Sequence, residues 1–313
     1  MPERGRSKTA PLPCGCALHG FALASIGALV LCNPVTVFRS ILFAALLAWA
    51  APAEPLRIVT TFYPLHIAAL NITSNAQAVT VINLTEQTSG CLHDYQLTPS
   101  DLARLVRADV LIVNGGGLES FLDKARRQAP RAKIIEASKG IALLDGNPHV
   151  WVSPELAARQ AETIGAELAK LDPKNAELYR RNTAAYAARL RALAAQMQAG
   201  LKDIAARQII TLHEAFPYFA REFGFTIAAV VEREPGAEPS ARELADTIAL
   251  VREKQVRAIF VEPQYPARSA EVIARATGAK IATLDPAVTG PIAADAYLEI
   301  MERNLAELRR VLK

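Results

Sequence analysis

Four side chains that could bind a metal lie far apart in the sequence: His93, His149, His213 and Asp285. Each follows a segment that reads as a β-strand. The chain has only 5 histidines, so three of them in matching positions favour a shared role. Imidazole nitrogens and one carboxylate oxygen suit zinc, which takes about four ligands in a tetrahedron. Open α/β sheets bind ligands beyond the carboxyl ends of their strands, so the sequence predicts one metal site that the fold assembles.

The elements that must position these residues alternate along the chain. Short β-rich runs are followed by amphipathic helical stretches, which indicates parallel α/β units. The predicted fold class is therefore α/β, with two lobes that each hold a four-stranded, mainly parallel sheet surrounded by helices. The predicted strands are Leu56–Phe62, Ala78–Asn83, Asp109–Asn114 and Lys133–Glu136 in the first half, and Gln208–Leu212, Thr226–Val231, Ala258–Val261 and Lys280–Leu284 in the second. Helix starts are predicted at the cap residues Thr98, Ser153 and Ser240.

The longest helical pattern lies between the two halves, from about Pro173 to Ile204. It is rich in alanine, leucine and arginine, which are strong helix formers. We predict one rigid helix that joins an N-terminal lobe, residues 54–171, to a C-terminal lobe, residues 205–313, with the linking helix at 172–204. Its predicted apolar face consists of Leu178, Ala185, Leu190, Leu193 and Met197.

Residues 1–53 are predicted to be a leader rather than part of the fold. An apolar run, Ile41 to Ala50, follows Arg39 and precedes small residues, as in a secretory signal peptide. Upstream lies a second apolar segment, which indicates either a true start near Val35 or, alternatively, a long native leader or a first membrane anchor. Cys32 resembles a lipoprotein signal, but the preceding Leu31 disfavours lipid anchoring. We expect an exported, periplasmic protein.

Composition excludes other classes of function. The net charge is +4, and 6% of the residues are aromatic. We find neither a basic stripe nor an aromatic platform, so nucleic acid is not an expected partner. No later apolar run reaches membrane-spanning length. The mature chain keeps one cysteine, Cys91, and thus no internal disulfide. We expect a soluble monomer.

Four motifs carry a resemblance to a known family. They are the segments from Cys91 to Asp101, from Asn147 to Trp151, from His213 to Phe219, and from Glu262 to Tyr265. Together they resemble the zinc- and manganese-specific solute-binding proteins of ABC transporters, of the periplasmic zinc-uptake type. The resemblance covers essentially all of the chain from Pro55 onwards. It implies two α/β lobes joined by a long helix, with the metal between the lobes.

The resemblance also implies a function. Carried over residue by residue, the family's metal ligands fall on His93, His149, His213 and Asp285. Manganese-type members are expected to have glutamate where this chain has His213, which favours Zn²⁺ as the transported ligand over Mn²⁺ or iron. The implied function is a high-affinity extracytoplasmic receptor that delivers zinc to an ABC permease in the inner membrane. Such a receptor is not an enzyme.

Several alternatives stay open at the level of sequence. Cys91 lies two residues before His93 and could approach the metal, and His66 could do so from the first helix, although a helix face is its expected place. Asp285 could belong to an ordinary Asp-Pro turn. Glu214 and Glu262 are candidates to accept a hydrogen bond from a ligating imidazole, through the ring N–H that does not bind the metal. The glycine-rich segment from Asn114 to Glu119 lacks a phosphate-loop lysine and predicts a tight turn.

Two functions of other classes compete with the receptor. A zinc hydrolase would keep an open ligand position and a nearby base, for which Glu214 is the obvious candidate. The chain has no His-Glu-x-x-His helix, and a fourth protein ligand is predicted. A surface adhesin or polysaccharide binder would need an extended aromatic platform, which the sequence does not show. Detectable peptidase turnover would favour the first alternative, and a metal-independent partner the second.

Overall fold

A computed structural model describes residues 54–85, 92–93, 95–232 and 237–313. The predicted leader and Cys91 lie outside these residues. Eight strands form two sheets. They are β1 (Leu56–Thr60), β2 (Val79–Asn83), β3 (Val110–Val113), β4 (Lys133–Glu136), β5 (Gln208–Thr211), β6 (Thr226–Val230), β7 (Ala258–Val261) and β8 (Lys280–Thr283). The strand orders are β2-β1-β3-β4 and β6-β5-β7-β8, and every pairing is parallel. The predicted fold class is confirmed.

Helices connect the strands and cover the sheets. They are α1 (Tyr63–Ile72), α2 (Pro99–Val106), α3 (Leu122–Gln128), α4 (Pro154–Leu171), α5 (Ala176–Leu201), α6 (Pro217–Phe223), α7 (Ala241–Lys254), α8 (Arg268–Thr277) and α9 (Ala296–Leu312), with a 3₁₀ turn at Val150–Val152. All three predicted caps form: Thr98, Ser153 and Ser240 each accept a hydrogen bond from a backbone N–H in the first turn. Among the described residues, no helix is long and apolar enough to cross a membrane.

The central strands are buried on both faces. All four residues of β3 and all four of β7 are buried. Helices on the two faces of each sheet exclude water, which explains why Val110-Leu111-Ile112-Val113 reads as a continuous apolar run. The edge strands β2 and β6 are only partly buried.

The predicted linking helix is α5, of 26 residues and about 39 Å. It starts later than predicted because Asp172, Pro173 and Asn175 form a turn, in which Asn175 donates to Asp172. The predicted apolar face was partly wrong, since Ala185 is exposed. The buried stripe instead repeats every three or four residues and includes aromatic rings: Tyr179, Thr183, Tyr186, Leu190, Leu193, Met197 and Leu201. The lobe boundaries themselves stay predictions.

Helix α5 is held between both halves of the chain. It packs on α4 and α1 from the first half and on α9 from the second. The contact with α4 is close at Gly165, where an added Cβ would lie 1.9 Å from Thr183 Oγ1. A salt bridge of 2.7 Å joins Arg189 to Asp295, just before α9. These contacts run along the helix, as expected of a strut whose stability comes from packing.

Candidate metal centre

Three of the four predicted ligands converge. His149 Nε2 lies 3.1 Å from His93 Nε2 and 3.4 Å from His213 Nε2. Among the described residues, these histidines form the group whose ligand atoms all lie within 4.8 Å of one another. They come from positions up to 120 residues apart, since His93 and His213 are the outer two. Three imidazole nitrogens this close together can bind one zinc ion or another transition-metal ion.

The second half contributes His213 from the end of a strand. It follows β5 by two residues and is 2% exposed. Its Nδ1 lies 2.5 Å from Glu262 Oε1, and Glu262 directly follows β7, the neighbouring strand. Gln264 Nε2 donates to the other Glu262 oxygen at 2.8 Å. The carboxylate therefore holds the proton on Nδ1 and directs the Nε2 lone pair toward the other histidines.

The two predicted supporting glutamates thus differ. Glu262 is 2% exposed and hydrogen-bonded to a site histidine. Glu214 is an exposed residue that lines the cleft beside the histidines, and its backbone carbonyl accepts a hydrogen bond from Asn147 Nδ2 at 2.8 Å. The cleft has a volume of about 350 Å³, which leaves an ion a route to the imidazoles.

His149 lies in surroundings that the sequence did not predict. It follows β4 by thirteen residues rather than ending a strand, and it precedes the 3₁₀ turn. His149 is nevertheless buried: it is 2% exposed, and the centroid of its ring lies 5.2 Å from that of Trp151. Burial, followed by the nearby His213 and His93, holds the pKa of His149 well below its ordinary value. The imidazole is therefore neutral at neutral pH, as ligation requires.

His93 is half-buried and lies ten residues beyond β2. Its ring centroid is 4.9 Å from that of His149. The start of the following helix, α2, is capped by Thr98, which forms a capping box with Asp101. Because Cys91 lies outside the described residues, a role for its thiol stays an open hypothesis.

Asp285 stands apart from the three histidines. It follows β8 by two residues, is half-buried, and does not belong to the converging group. Its Oδ1 accepts a hydrogen bond of 2.8 Å from Ala287 N, which is the turn that the following proline indicated. Asn304 fixes the Asp285 backbone through two hydrogen bonds. Burial raises the pKa of Asp285, and the charge of Glu262 adds to this effect.

Two other sequence features have structural roles. His66 lies on α1, 3% exposed, with Nδ1 at 3.4 Å from Thr60 Oγ1, and burial lowers its pKa to about 4. It is not part of the converging group. The glycine-rich segment is a tight turn, as predicted: Glu119 accepts hydrogen bonds from Asn114 N and Gly115 N.

No role was predicted for Asn147, although it stands in one of the four motifs. Its Oδ1 accepts from His149 N at 3.0 Å and lies 2.9 Å from His149 Nδ1. A signal for this arrangement was present in the preceding Asp145-Gly146. Such a pair favours a tight turn with positive φ at both central residues, and φ is 48° and 76° here.

Comparisons with known proteins agree with this geometry. The family described as "Zinc-uptake complex component A periplasmic" matches residues 58–311. The high-affinity zinc uptake system protein ZnuA of Bacillus subtilis is 30% identical over 282 residues, which cover 82% of this chain and 87% of that protein. The solute-binding protein FpvC of Pseudomonas aeruginosa, solved with Mn²⁺, is 35% identical with a TM-score of 0.75, covering 83% of this chain and 98% of FpvC.

A third relative bears on the leader. The zinc-binding lipoprotein AdcA of Streptococcus pneumoniae is 27% identical over 280 residues, which cover 82% of this chain and 55% of AdcA. A relative named as a lipoprotein gives no support to the expectation that lipid anchoring is absent here. Cys32, on which that expectation rested, lies outside the described residues.

Proposed function

The chain belongs to the family of periplasmic zinc-uptake components, and from this premise we propose that it captures zinc outside the cytoplasm and delivers it to an ABC importer. The observation that carries the proposal is the convergence of the His93, His149 and His213 Nε2 atoms. A buried, neutral His149 and a His213 held by Glu262 present lone pairs rather than protons to an arriving cation.

The proposed ligands are His93, His149, His213 and Asp285. Three imidazoles leave one position of a zinc tetrahedron for a carboxylate oxygen. The negative charge of Glu262 helps to raise the pKa of Asp285, after the larger effect of burial. Binding of zinc would attract the Asp285 carboxylate toward the histidines and neutralise the charge that burial disfavours.

Manganese is the second candidate for the cargo, because FpvC, at 35% identity, was solved with Mn²⁺. Zinc fits the donor set of this chain better. Imidazole nitrogens suit zinc, whereas manganese favours carboxylate, carbonyl and water oxygens. Glu262 does not shift this balance, since its carboxylate is engaged by His213 and Gln264.

The remaining parts of the proposal are the partner, the compartment and the assembly. The partner is the permease of an ABC importer in the inner membrane, the compartment is the periplasm, and the receptor acts as a monomer. We assign no catalytic residue. A hydrolase would require a free carboxylate base next to the metal. Glu262 already accepts two hydrogen bonds, so Glu214, which lines the cleft, is the residue that such an activity would have to use.

Metal analysis tests the proposal. The full chain, purified from the compartment in which it accumulates, is expected to contain one zinc per chain. After removal of metal by a chelator, calorimetric titration is expected to restore one equivalent of zinc with higher affinity than manganese at pH 7.5. Tighter binding of manganese would indicate that manganese rather than zinc is the cargo. Absence of any stoichiometric metal would contradict the receptor function.

A further inference from the structure

The loop before His149 belongs to the first half of the chain and forms hydrogen bonds with the second half. Leu144 to Asn147 form a tight turn, closed by a hydrogen bond of 2.8 Å from Asn147 N to Leu144 O. At its end, Asn147 lies between two proposed ligands, with His149 on one side and the backbone next to His213 on the other. No role for this side chain follows from the proposed function alone.

The orientation of the Asn147 carboxamide follows from its partners. The backbone N–H of His149 can only donate, so the Asn147 atom at 3.0 Å from it is the oxygen. The other carboxamide atom is then the NH₂ group, and it meets the carbonyl oxygen of Glu214, which can only accept, at 2.8 Å. Both contacts are satisfied in one orientation, and the reverse orientation would break both.

This orientation decides the tautomer of His149. Asn147 Oδ1 lies 2.9 Å from His149 Nδ1 and can only accept, so Nδ1 carries the proton. The Nε2 atom then presents its lone pair to the point where His93 and His213 converge. A neutral amide thus does for His149 what the Glu262 carboxylate does for His213.

The same loop is bound to the second half of the chain by Tyr218 on α6. The Tyr218 hydroxyl accepts from Leu144 N at 2.9 Å and donates to Asn147 O at 2.6 Å. Together with the bond from Asn147 Nδ2 to Glu214 O, this gives three hydrogen bonds that join the His149 loop to the segment around His213.

We propose that Asn147 is a positioning residue with two roles: its oxygen fixes the His149 tautomer for metal binding, and its NH₂ group, with the Tyr218 hydroxyl, clasps the two halves of the site together. The inference rests on the proposed zinc-receptor function. It predicts that release of zinc, for which the His149 loop must move away from the segment around His213, is slowed by these hydrogen bonds.

Two variants separate the roles. Asn147→Ala removes both, so we expect zinc affinity to fall by about 10- to 100-fold, as for other groups that orient metal-bound histidines. We also expect the apo protein to lose the fixed Nδ1–H tautomer, as measured by ¹⁵N NMR of the histidine rings at pH 8. Tyr218→Phe removes only the two hydrogen bonds that the Tyr218 hydroxyl contributes to the clasp, so the tautomer is expected to remain.

For Tyr218→Phe, the rate of zinc dissociation into excess chelator is expected to rise by about 2- to 10-fold, which corresponds to the net strength of one or two neutral hydrogen bonds. The matched control is Asn182→Ala. It removes another amide that bonds to the backbone, in this case by donating to the carbonyls of Ile72 and Ser74, far along the chain from the histidines. We expect this variant to change neither the zinc affinity nor the rate of zinc dissociation. Thermal unfolding of each full-length apo variant shows that the fold is intact.

The outcomes are distinct. An Asn147→Ala chain with the Nδ1–H tautomer retained and zinc affinity within about twofold of the unmodified chain would overturn the positioning role. Unchanged zinc dissociation in Tyr218→Phe would overturn the clasp. Either result leaves the unmodified chain as a zinc receptor. By contrast, an unmodified chain that binds no zinc would refute the proposed function itself.

Discussion

The two halves of the chain hold their histidines by different means. In the second half, His213 and Asp285 each follow a strand by two residues, so the sheet itself sets their positions. In the first half, His93 and His149 lie ten and thirteen residues beyond β2 and β4. Their positions depend on loop hydrogen bonds and ring contacts.

The difference shows which half of the site is rigid before metal arrives. Strands β5 and β7 are paired within a buried sheet, and the carboxylate that orients His213 comes from the end of β7. The His149 loop has no such frame. Asn114 is fully buried and donates a hydrogen bond of 3.0 Å to Pro148 O in this loop. Asn114 in turn accepts a hydrogen bond from Gln160, so the loop is supported by a small buried polar network. We therefore expect metal to order the first half more than the second.

The largest expected effect is loss of a ligand from the rigid half. His213→Gln keeps an amide donor for Glu262 but removes the imidazole. We expect zinc affinity, measured by competition with a chelator, to fall by more than about 100-fold, or over about 2.7 kcal/mol. The matched control is His66→Gln, which changes another buried histidine outside the site and is expected to leave affinity unchanged. Equal affinities of the two variants would disprove the assignment of His213.

The next effect concerns the carboxylate behind His213. Glu262→Gln retains an acceptor for Nδ1–H but removes the negative charge that makes the imidazole a stronger donor to metal. We expect zinc affinity to fall by about 10-fold. Glu222→Gln serves as the control, because it changes a half-buried carboxyl group of the same half that contacts Glu155 N. If both variants bind zinc like the unmodified chain, Glu262 has no influence on the ligand.

A third prediction concerns stability. It uses pH to distinguish the contribution of the buried core of the first half from that of its metal-binding loops. His66 has its pKa lowered by burial from 6.5 to about 4. Below pH 6.5 His66 binds a proton in the unfolded chain but not in the folded chain. The free energy of unfolding therefore decreases as the pH falls from 6.5 to 4. The loss is on the order of 3 kcal/mol.

Urea unfolding of the zinc-free chain at several pH values measures this loss. We expect His66→Gln to show a weaker decline of stability between pH 6.5 and 4 than the unmodified chain. Parallel declines in the two proteins would assign the acid sensitivity to other groups, such as His149 in the metal loop, whose pKa is also lowered.

The smallest effect is the change in dynamics on metal binding. We expect zinc to slow amide hydrogen exchange around His93 and from Leu144 to His149, with little change in β5 and β7. Helix α5 should also change little, because it is unbroken over 26 residues and packs on both halves. Exchange that changes most within α5 would show that the helix is a hinge rather than a strut.

Much of this fold was readable in the sequence. The predicted strands match the observed ones to within two residues at each end, because buried parallel strands leave continuous apolar runs bounded by turn residues. The three predicted caps also form, since a cap is a local interaction. The position of His213 was predicted for the same reason: it depends on where one strand ends.

What the sequence did not predict depends on contacts between distant residues. The surroundings of His149 include the ring of His213, which lies 64 residues away. The role of Asn147 requires Glu214, which lies 67 residues away. Ala185 was wrongly placed on the buried face of α5, because alanine occurs on both the buried and the exposed faces of helices. Tyr179 and Tyr186 lie on the buried face. Asp285 is expected to reach the metal by a rearrangement on zinc binding, which its position after β8 does not indicate.

The central claim is that one zinc ion binds to three imidazoles contributed by both halves of the chain. X-ray absorption spectroscopy of the zinc-loaded, full-length chain tests it directly. We predict three nitrogen ligands at about 2.0–2.1 Å with the multiple scattering of imidazole rings, and one oxygen at about 2.0–2.2 Å. A zinc–sulfur distance of about 2.3 Å would instead place Cys91 in the site. Fewer than three imidazoles would contradict the account.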